Sequence, residues 1–244
     1  METARNFLSG LEYPGRFIIG GQSRDSDDVF LAYGITGRSP ASQARRMVKR
    51  ENGIWVEPTD PQLIVMGNPD LLIYPAILFS QRGLAASNGK QTLDVLRAMD
   101  TAKEPVLALV HALKDWKYEP DEPIYTPRIS LAFAGGFNLG LSLIKRGEFG
   151  QVLREFFELP LVPGKGWLIM TYMGINTDPV PSFFGEPASL EFPDGGADEL
   201  VSSIYESLKP ETGKKDLRVS VAGLTASAGS LELQQVKIIN REDA

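Results

Sequence analysis

The side chains of this chain that can do chemistry are carboxylates, arginines, tyrosines and amides. There is no cysteine, which removes thiol nucleophiles, Cys-ligated zinc, iron–sulfur clusters and disulfide frameworks together. There is one histidine, His111, so multi-histidine metal sites are excluded and a Ser-His-Asp triad would have to use that residue. His111 falls one step off the apolar stripe of its helix, and a structural or surface role is the expectation for it. The densest group of reactive side chains is Tyr118-Glu-Pro-Asp-Glu-Pro-Ile-Tyr-Thr-Pro-Arg-Ile129. Its prolines fix φ, stiffen the loop and preset Glu119 and Asp121. Two carboxylates near Arg128 suit an acid–base site tuned by the arginine and by burial. A solvated acidic loop with a salt-bridged arginine is the plainer alternative.

Three other loops carry polar groups at unusual density. Tyr13-Pro-Gly-Arg16 leads into a strand and is followed by Thr36-Gly-Arg-Ser-Pro-Ala-Ser-Gln-Ala-Arg-Arg46. A glycine before Arg38 and a helix N-terminus after it make a phosphate seat of backbone N–H groups, dipole and guanidinium fork. The glycines are too few for a Walker or Rossmann loop. Ser87-Asn-Gly-Lys-Gln-Thr92 is first a turn, yet it can present Asn88, Gln91 and Thr92 to an amide or a sugar. Thr171-Tyr-Met-Gly-Ile-Asn-Thr-Asp-Pro-Val-Pro-Ser-Phe-Phe-Gly-Glu-Pro187 suits a rigid wall for a flat ring, with Asn176 and Glu186 as its polar groups.

The elements that must position these loops read mostly as strands. Arg16–Gly21 and Val29–Thr36 form a hairpin across a polar turn. Ser39 caps a helix over Pro40–Arg50 that ends at Asn52-Gly53. Gln62–Met66, Leu71–Leu78 and Leu84–Ser87 read as strands, with a turn at Gly67–Asp70. Helices follow at Gln91–Ala102 and Pro105–Trp116, the second with a buried stripe of Val106, Leu109, Val110 and Leu113. Arg128–Ala134, Asn138–Lys145 and Trp167–Tyr172 read as a meander, and Gln151–Leu159 between them fits strand or helix. A helix over Asp198–Leu208 capped by Asp198 precedes a hairpin of Leu217–Leu224 and Leu231–Ile239. Consecutive hairpins with clustered helices give α+β, with antiparallel sheets covered by helices.

Composition bounds the function. A hydrophobic content of 43% and a charged content of 23% are those of a globular protein, and 24 glycines with 17 prolines argue against a helical bundle. No repeat or linker divides the chain, so residues 1–244 are read as one domain. The net charge of −6 argues against a nucleic-acid partner. The first fifty residues nevertheless carry eight Lys/Arg against five Asp/Glu, chiefly through Arg38, Arg45, Arg46, Lys49 and Arg50. That local excess fits a small anionic ligand, or simply a solvated helix face. No apolar run is long enough for a membrane span, and Met-Glu-Thr-Ala-Arg-Asn lacks the features of a signal peptide. Cytoplasm is the expectation. The aromatic pairs Phe156-Phe157 and Phe183-Phe184 leave a homo-oligomer open, although core positions are the first expectation for them.

Taken in order, Tyr13-Pro-Gly-Arg16, Tyr33-Gly-Ile-Thr-Gly-Arg-Ser-Pro40, Ser87–Thr92, Glu119-Pro-Asp through Thr126-Pro-Arg-Ile129, and Thr171-Tyr-Met-Gly through Pro187 resemble the archaeal-type inosine monophosphate (IMP) cyclohydrolase family and its bacterial relatives. Ile239-Asn-Arg241 extends the likeness. The resemblance implies a four-layer αββα sandwich like that of N-terminal-nucleophile hydrolases. A chain beginning Met1-Glu2-Thr3 is expected to lack the N-terminal nucleophile itself. The implied reaction closes 5-formamidoimidazole-4-carboxamide ribonucleotide to IMP with loss of water, using no cofactor and no metal. On this reading Glu119 or Asp121 is the base, Tyr33 or Tyr125 the acid, and Arg128 an oxyanion or phosphate ligand. Arg16, Arg38, Asn88, Gln91, Thr92, Thr126, Tyr172 and Asn176 would bind the nucleotide. The chain departs from the family pattern at Lys90, Leu93 and Ile124, where polar or acidic residues are usual. Two other readings are a non-catalytic purine-nucleotide-binding relative and an amidohydrolase of the same fold, the latter opposed by the missing nucleophile.

Overall fold

The computed structural model describes residues 2–65 and 68–243. In chain order they form α1 (Ala4–Ser9), β1 (Arg16–Gln22), β2 (Asp28–Thr36), the single turn α2 (Pro40–Gln43), β3 (Arg45–Arg50) and β4 (Gly53–Pro58). Two short helices, α3 (Pro61–Val65) and α4 (Pro69–Leu72), lead to β5 (Tyr74–Ser80) and β6 (Gly83–Ser87). Helices α5 (Thr92–Ala98) and α6 (Pro105–Leu113) precede β7 (Arg128–Phe133), β8 (Asn138–Arg146), β9 (Val152–Pro160) and β10 (Lys165–Met170). The last elements are β11 (Ala188–Glu191), α7 (Ala197–Ser207), β12 (Arg218–Ser227), β13 (Leu233–Asn240) and a 3-10 turn, Arg241–Asp243.

The strands make two antiparallel sheets, one of six in the order β11-β10-β1-β2-β12-β13 and one of seven in the order β3 to β9. The class is α+β, as the hairpin pattern implies. Strands β1, β2 and β7 are buried along nearly every residue, on both faces, as strands covered from both sides must be. Helices α5 and α6 pack on β5 to β9, and α7 packs on β12 and β13 with α1 beside it. A hydrophobic cluster joins the sheets, with Phe17, Leu31 and Leu224 from one and Met47, Ile54 and Leu131 from the other. Among the described residues no helix is long and apolar enough to cross a membrane.

Several expectations need correction. Ser39 and Pro40 do start a helix, with a reciprocal capping box between Ser39 and Ser42, but it stops after one turn. Arg45–Arg50 continues as strand because Arg45 and Met47 are buried while Arg46 is exposed, a period of two. Asn240 fixes this strand: Met47 N–H donates to Asn240 Oδ1 at 2.8 Å, and Asn240 Nδ2 donates to Met47 O. Asn52-Gly53 therefore turns a hairpin into β4, a strand with no counterpart in the sequence reading. Residues expected as strand at 62–65 are helical, and Asn68 and Pro69 open another helical turn before β5. Met66 and Gly67, included in those expectations, lie outside the described residues.

Residues 165–170 pair with β1 and β11 in the six-stranded sheet, so they do not continue the meander. The ambiguous segment at 151–159 is strand β9. Helix α7 is capped by Gly196, with Asp198 in its first turn, and the Ala197 N–H donates to Gln235. Helix α6 buries Pro105, Ala108, Leu109 and Leu113, whereas Val110 is on its exposed side with Leu107 and His111.

Candidate active site

A buried polar network sits where β1 begins, β2 and β10 end, and β6 gives way to β7. Glu119 is its centre, 1% exposed. Arg16, the first residue of β1, donates from Nη2 to Glu119 Oε1 at 2.8 Å, and Asn88 Nδ2 donates to the same oxygen at 3.0 Å. Among the described residues no donor is bonded to Oε2. Arg128 Nη1 stands 4.0 Å from Oε1. Burial pushes the Glu119 carboxyl up from its ordinary value; Arg16 and Arg128 oppose the rise, and Asp121 adds to it. Burial works against the charge of Arg16, but Glu119 together with Tyr74, Tyr172 and Tyr33 outweighs it and the guanidinium keeps its proton, as guanidiniums in proteins do.

Asn88 follows β6 and spends all its capacity on positioning. Its amide donates to Glu119 and to Pro127 O at 2.9 Å, while Oδ1 accepts from Gln91 Nε2 and from Ile129 N–H. A backbone carbonyl on one side and a backbone N–H on the other decide which way this amide points. Gln91 passes the link on, accepting from Arg128 Nη1 at 3.0 Å. Gly89 makes room for that bond: a Cβ there would lie 2.6 Å from both Arg128 Nη1 and Gln91 Oε1. Arg128 also donates from Nε to Lys117 O and lies over the Trp116 ring. Burial pulls its pKa down, partly offset by Glu119. Thr92 is committed to Pro75 O and Gly89 O, tying α5 to β5.

The tyrosines form a second tier. Tyr33 on β2 and Tyr74 on β5, one from each sheet, share a hydroxyl contact of 2.9 Å and are both buried. Burial pushes Tyr33 well above the usual phenol range, reinforced by Tyr74 and opposed by Arg16 and Arg45. Tyr172 is pushed up to about 12 by burial, against the pull of Arg16. Its hydroxyl lies 2.7 Å from Thr126 Oγ1. Thr126 gives its only hydroxyl proton to Asp121, and an ionised carboxylate only accepts, so Tyr172 is the donor to Thr126. Tyr172 stacks on Tyr13 at 5.3 Å, and Arg38 covers Tyr13 at 4.9 Å. Gly15, at φ +74°, lets this file pack, because a Cβ there would strike Thr171 and the Tyr172 ring.

Of the residues nominated by sequence, Arg16, Tyr33, Asn88, Gln91, Glu119, Thr126, Arg128 and Tyr172 come together. Asp121 does not face Glu119 as a free carboxylate: it accepts from Thr126 N–H at 2.7 Å and from the Thr126 hydroxyl, closing the turn. Tyr125 points away, packed edge-on to Tyr118 and under Arg146, on a surface hollow of about 510 Å³ that also reaches Trp116 and Arg128. The expected phosphate seat at Ser39-Pro40 is closed by its own capping box, and Arg38 donates to Thr177 O at 2.8 Å. Asn176 is exposed, its N–H directed to Glu12, and Glu186 is exposed as well. In the loop at 171–187, Phe183 is buried and Phe184 is 64% exposed.

Lys90 and Leu93 point outward. Lys90 pairs with Asp70 at 2.6 Å on the surface, and Leu93 is 36% exposed. Ile124 packs with Tyr13, Tyr172, Val180 and Leu217. Sequence reasoning missed Tyr74, and named Arg45 only as one member of a basic cluster fitting a small anionic ligand or a solvated helix face. Tyr74 lay hidden in an apolar run. Among the described residues no His, Asp or Glu cluster has metal-binding spacing.

No curated protein matches the chain. One solved structure that does match is the Anbu (Gly-1) mutant from Hyphomicrobium sp. strain MC1, at 11% identity and a TM-score of 0.35, over 94% of this chain and 89% of that one. Residues 13–228 match the family model described as IMP cyclohydrolase-like protein. That span holds every side chain of the Glu119 network and of the tyrosine file beside it, and the chain belongs to the IMP cyclohydrolase-like family.

Proposed function

We propose that the protein closes 5-formamidoimidazole-4-carboxamide ribonucleotide to IMP at the Glu119 network. The family supports a cyclohydrolase-type function in general; the observation that carries this reaction is the state of Glu119. One oxygen is fixed by Arg16 and Asn88, the other has no donor among the described residues, and burial raises the proton affinity of the group. That describes a base aimed at a poorly acidic N–H.

The chemistry balances without a cofactor. The carboxamide nitrogen attacks the formyl carbon and gives up one proton to Glu119. The formyl oxygen takes up that proton and the proton of the formamido nitrogen, then leaves as water as the ring C=N forms. The Tyr33–Tyr74 pair has two hydroxyl protons and one mutual bond, so one proton remains to donate to the developing oxyanion. Most of the acceleration comes from holding the two arms of one molecule together. The outward direction of Lys90 and Leu93 supports the reading, since these two departures leave the charge of the network unchanged.

We infer further that the helices and sheets stack as a four-layer αββα sandwich in one domain, supported by helices on each sheet and a shared core between them. The proposed partner is a small purine nucleotide, in the cytoplasm. The test is the absorbance change on adding the formamido ribonucleotide to purified protein without metal. Turnover that falls roughly a hundred- to ten-thousandfold in Glu119→Gln, with folding intact, is the expected result. Saturable IMP binding without turnover would instead favour the non-catalytic relative.

A further inference from the structure

The edge of a sheet presents unpaired N–H and C=O groups, and a chain either blunts that edge or pairs it. Three of the four edges in this fold are blunted. Strand β3 carries Arg45, Arg46, Lys49 and Arg50 and is held at Met47 by Asn240. Strand β11 has four residues, and its Glu191 N–H donates to Glu2 O. Strand β13 has Lys237 near its middle and pairs with β12 across a bulge at Thr225 and Ala226. The fourth edge, β9, is nine residues long, and its register with β8 runs without a shift from Val152 to Pro160.

The ends of β9 show which way its backbone points. Gln151 O accepts from Gly147 N–H, and Leu161 N–H donates to Phe137 O, so the odd-numbered residues bond to β8. Alternation then turns the N–H and C=O of Val152, Arg154, Phe156 and Glu158 outward. Among the described residues none of these groups has a partner. Pro160, which has no N–H, ends the open run, and its carbonyl accepts from Trp167 Nε1 at 2.9 Å. Apolar side chains line both faces of the strand. Val152 and Phe156 pack with α5 and α6, Phe157 and Leu159 with the core between the sheets, and Leu153 is 38% exposed.

We propose that β9 pairs antiparallel with β9 of a second copy of this chain, about a two-fold axis at Phe156. In that register Phe156 faces the partner's Phe156, Arg154 faces the partner's Glu158, and Leu153 faces the partner's Leu159. Arg154 spends Nε and Nη2 on Leu113 O and Trp116 O, and Glu158 spends Oε1 on Asn138, which leaves Arg154 Nη1 and Glu158 Oε2 for each other. Opposite charges directly across an antiparallel pair attract, and like charges repel. The outward groups stay aligned only in shifts of two residues. One such shift sets Glu155 against its own copy. The other sets Arg154 against the partner's Pro160 and Glu158 against the partner's Phe156. Charge therefore selects the register at Phe156. Opposed residues share a face, so the helices of both copies lie on the same side of one continuous sheet. Pairing at β9 uses none of Glu119, Arg16 or Asn88.

The chain contains no cysteine, so introduced thiols report the pairing directly. Leu153→Cys and Leu159→Cys are made separately in the full chain, then oxidised alone and as a mixture. In the Phe156 register these positions oppose each other with Cα atoms about 4.5 Å apart, within disulfide reach. A covalent dimer is expected in the mixture and in neither variant alone. In sedimentation equilibrium the wild type is expected at twice 26.8 kDa. Glu158→Pro removes an outward N–H and leaves the β8 ladder intact, and Glu158→Arg sets like charges across the joint. Each is expected to weaken the dimer roughly tenfold or more. Glu158 is exposed, so both variants should keep the circular dichroism of the wild type. A wild type that stays monomeric overturns the proposal, as does a dimer equally tight in both Glu158 variants. A cross-link in either cysteine variant alone, or none in the mixture, overturns it as well.

Discussion

At the end of the six-stranded sheet where β1 begins, Arg16 and Glu119 meet at 2.8 Å with side chains 11% and 2% exposed. At the opposite end, just past β1, Arg24 and Asp194 meet at 3.0 Å with side chains 49% and 55% exposed. The bonds are nearly the same length and their surroundings differ completely. The far pair borders a hollow of about 250 Å³ lined by Gln22, Asp28, Phe192 and Gln235. It contains no buried charged group. The near end holds buried charges whose proton affinities are displaced. The cost of burying charge, rather than the shape of a hollow, sets the near end apart as the candidate site.

The largest expected effect is at Glu119. Glu119→Ala strands Arg16 and Arg128 as buried cations and should cost about 3–5 kcal/mol in denaturant unfolding. The Tyr172 phenol, at about 12 when folded and 10 when unfolded, comes next. The stability it contributes is complete below pH 10 and is lost as the pH rises toward 12, a loss of about 2–3 kcal/mol. Tyr172→Phe should therefore show a shallower alkaline decline. In the wild type, tyrosinate absorbance of the buried phenols should appear only with unfolding; its appearance near pH 10 in folded protein would show that this end is open to water.

Tyr33→Phe removes the bond between the sheets and leaves the Tyr74 hydroxyl buried alone, at about 1–3 kcal/mol by the same denaturant measurement. Asp194→Ala, which breaks the exposed pair, should change stability by about 0–1 kcal/mol, and less in high salt. If Asp194→Ala proved as damaging as Glu119→Ala, the contrast between the two ends would collapse.

The sequence revealed the site better at its centre than at its edges. Glu119, Asn88, Gln91 and Arg128 were legible because prolines and an Asn-Gly turn bracket them, and such segments have few ways to fold. Asp121 and Tyr125 were misjudged because spacing along a loop does not tell which side chains turn inward. The first hairpin was legible from a polar turn between apolar runs. Arg45–Arg50 was not, since Ser39 and Pro40 announce a helix correctly but say nothing about its length. What ends that helix is Asn240, nearly two hundred residues away, and no local pattern carries such information.

That separation recurs throughout the network. Arg16 finds Glu119 across 103 residues and Thr171 across 155, and Met47 finds Asn240 across 193. Contacts this distant in sequence close late in folding, after the entropy of long loops has been overcome. The arginines and their carboxylate therefore stay dispersed and hydrated until both sheets are in place. A ligand held at this end has nothing to grip in a half-formed chain. It draws on the finished population alone, raising stability with the logarithm of its concentration and leaving the early steps of folding unhurried.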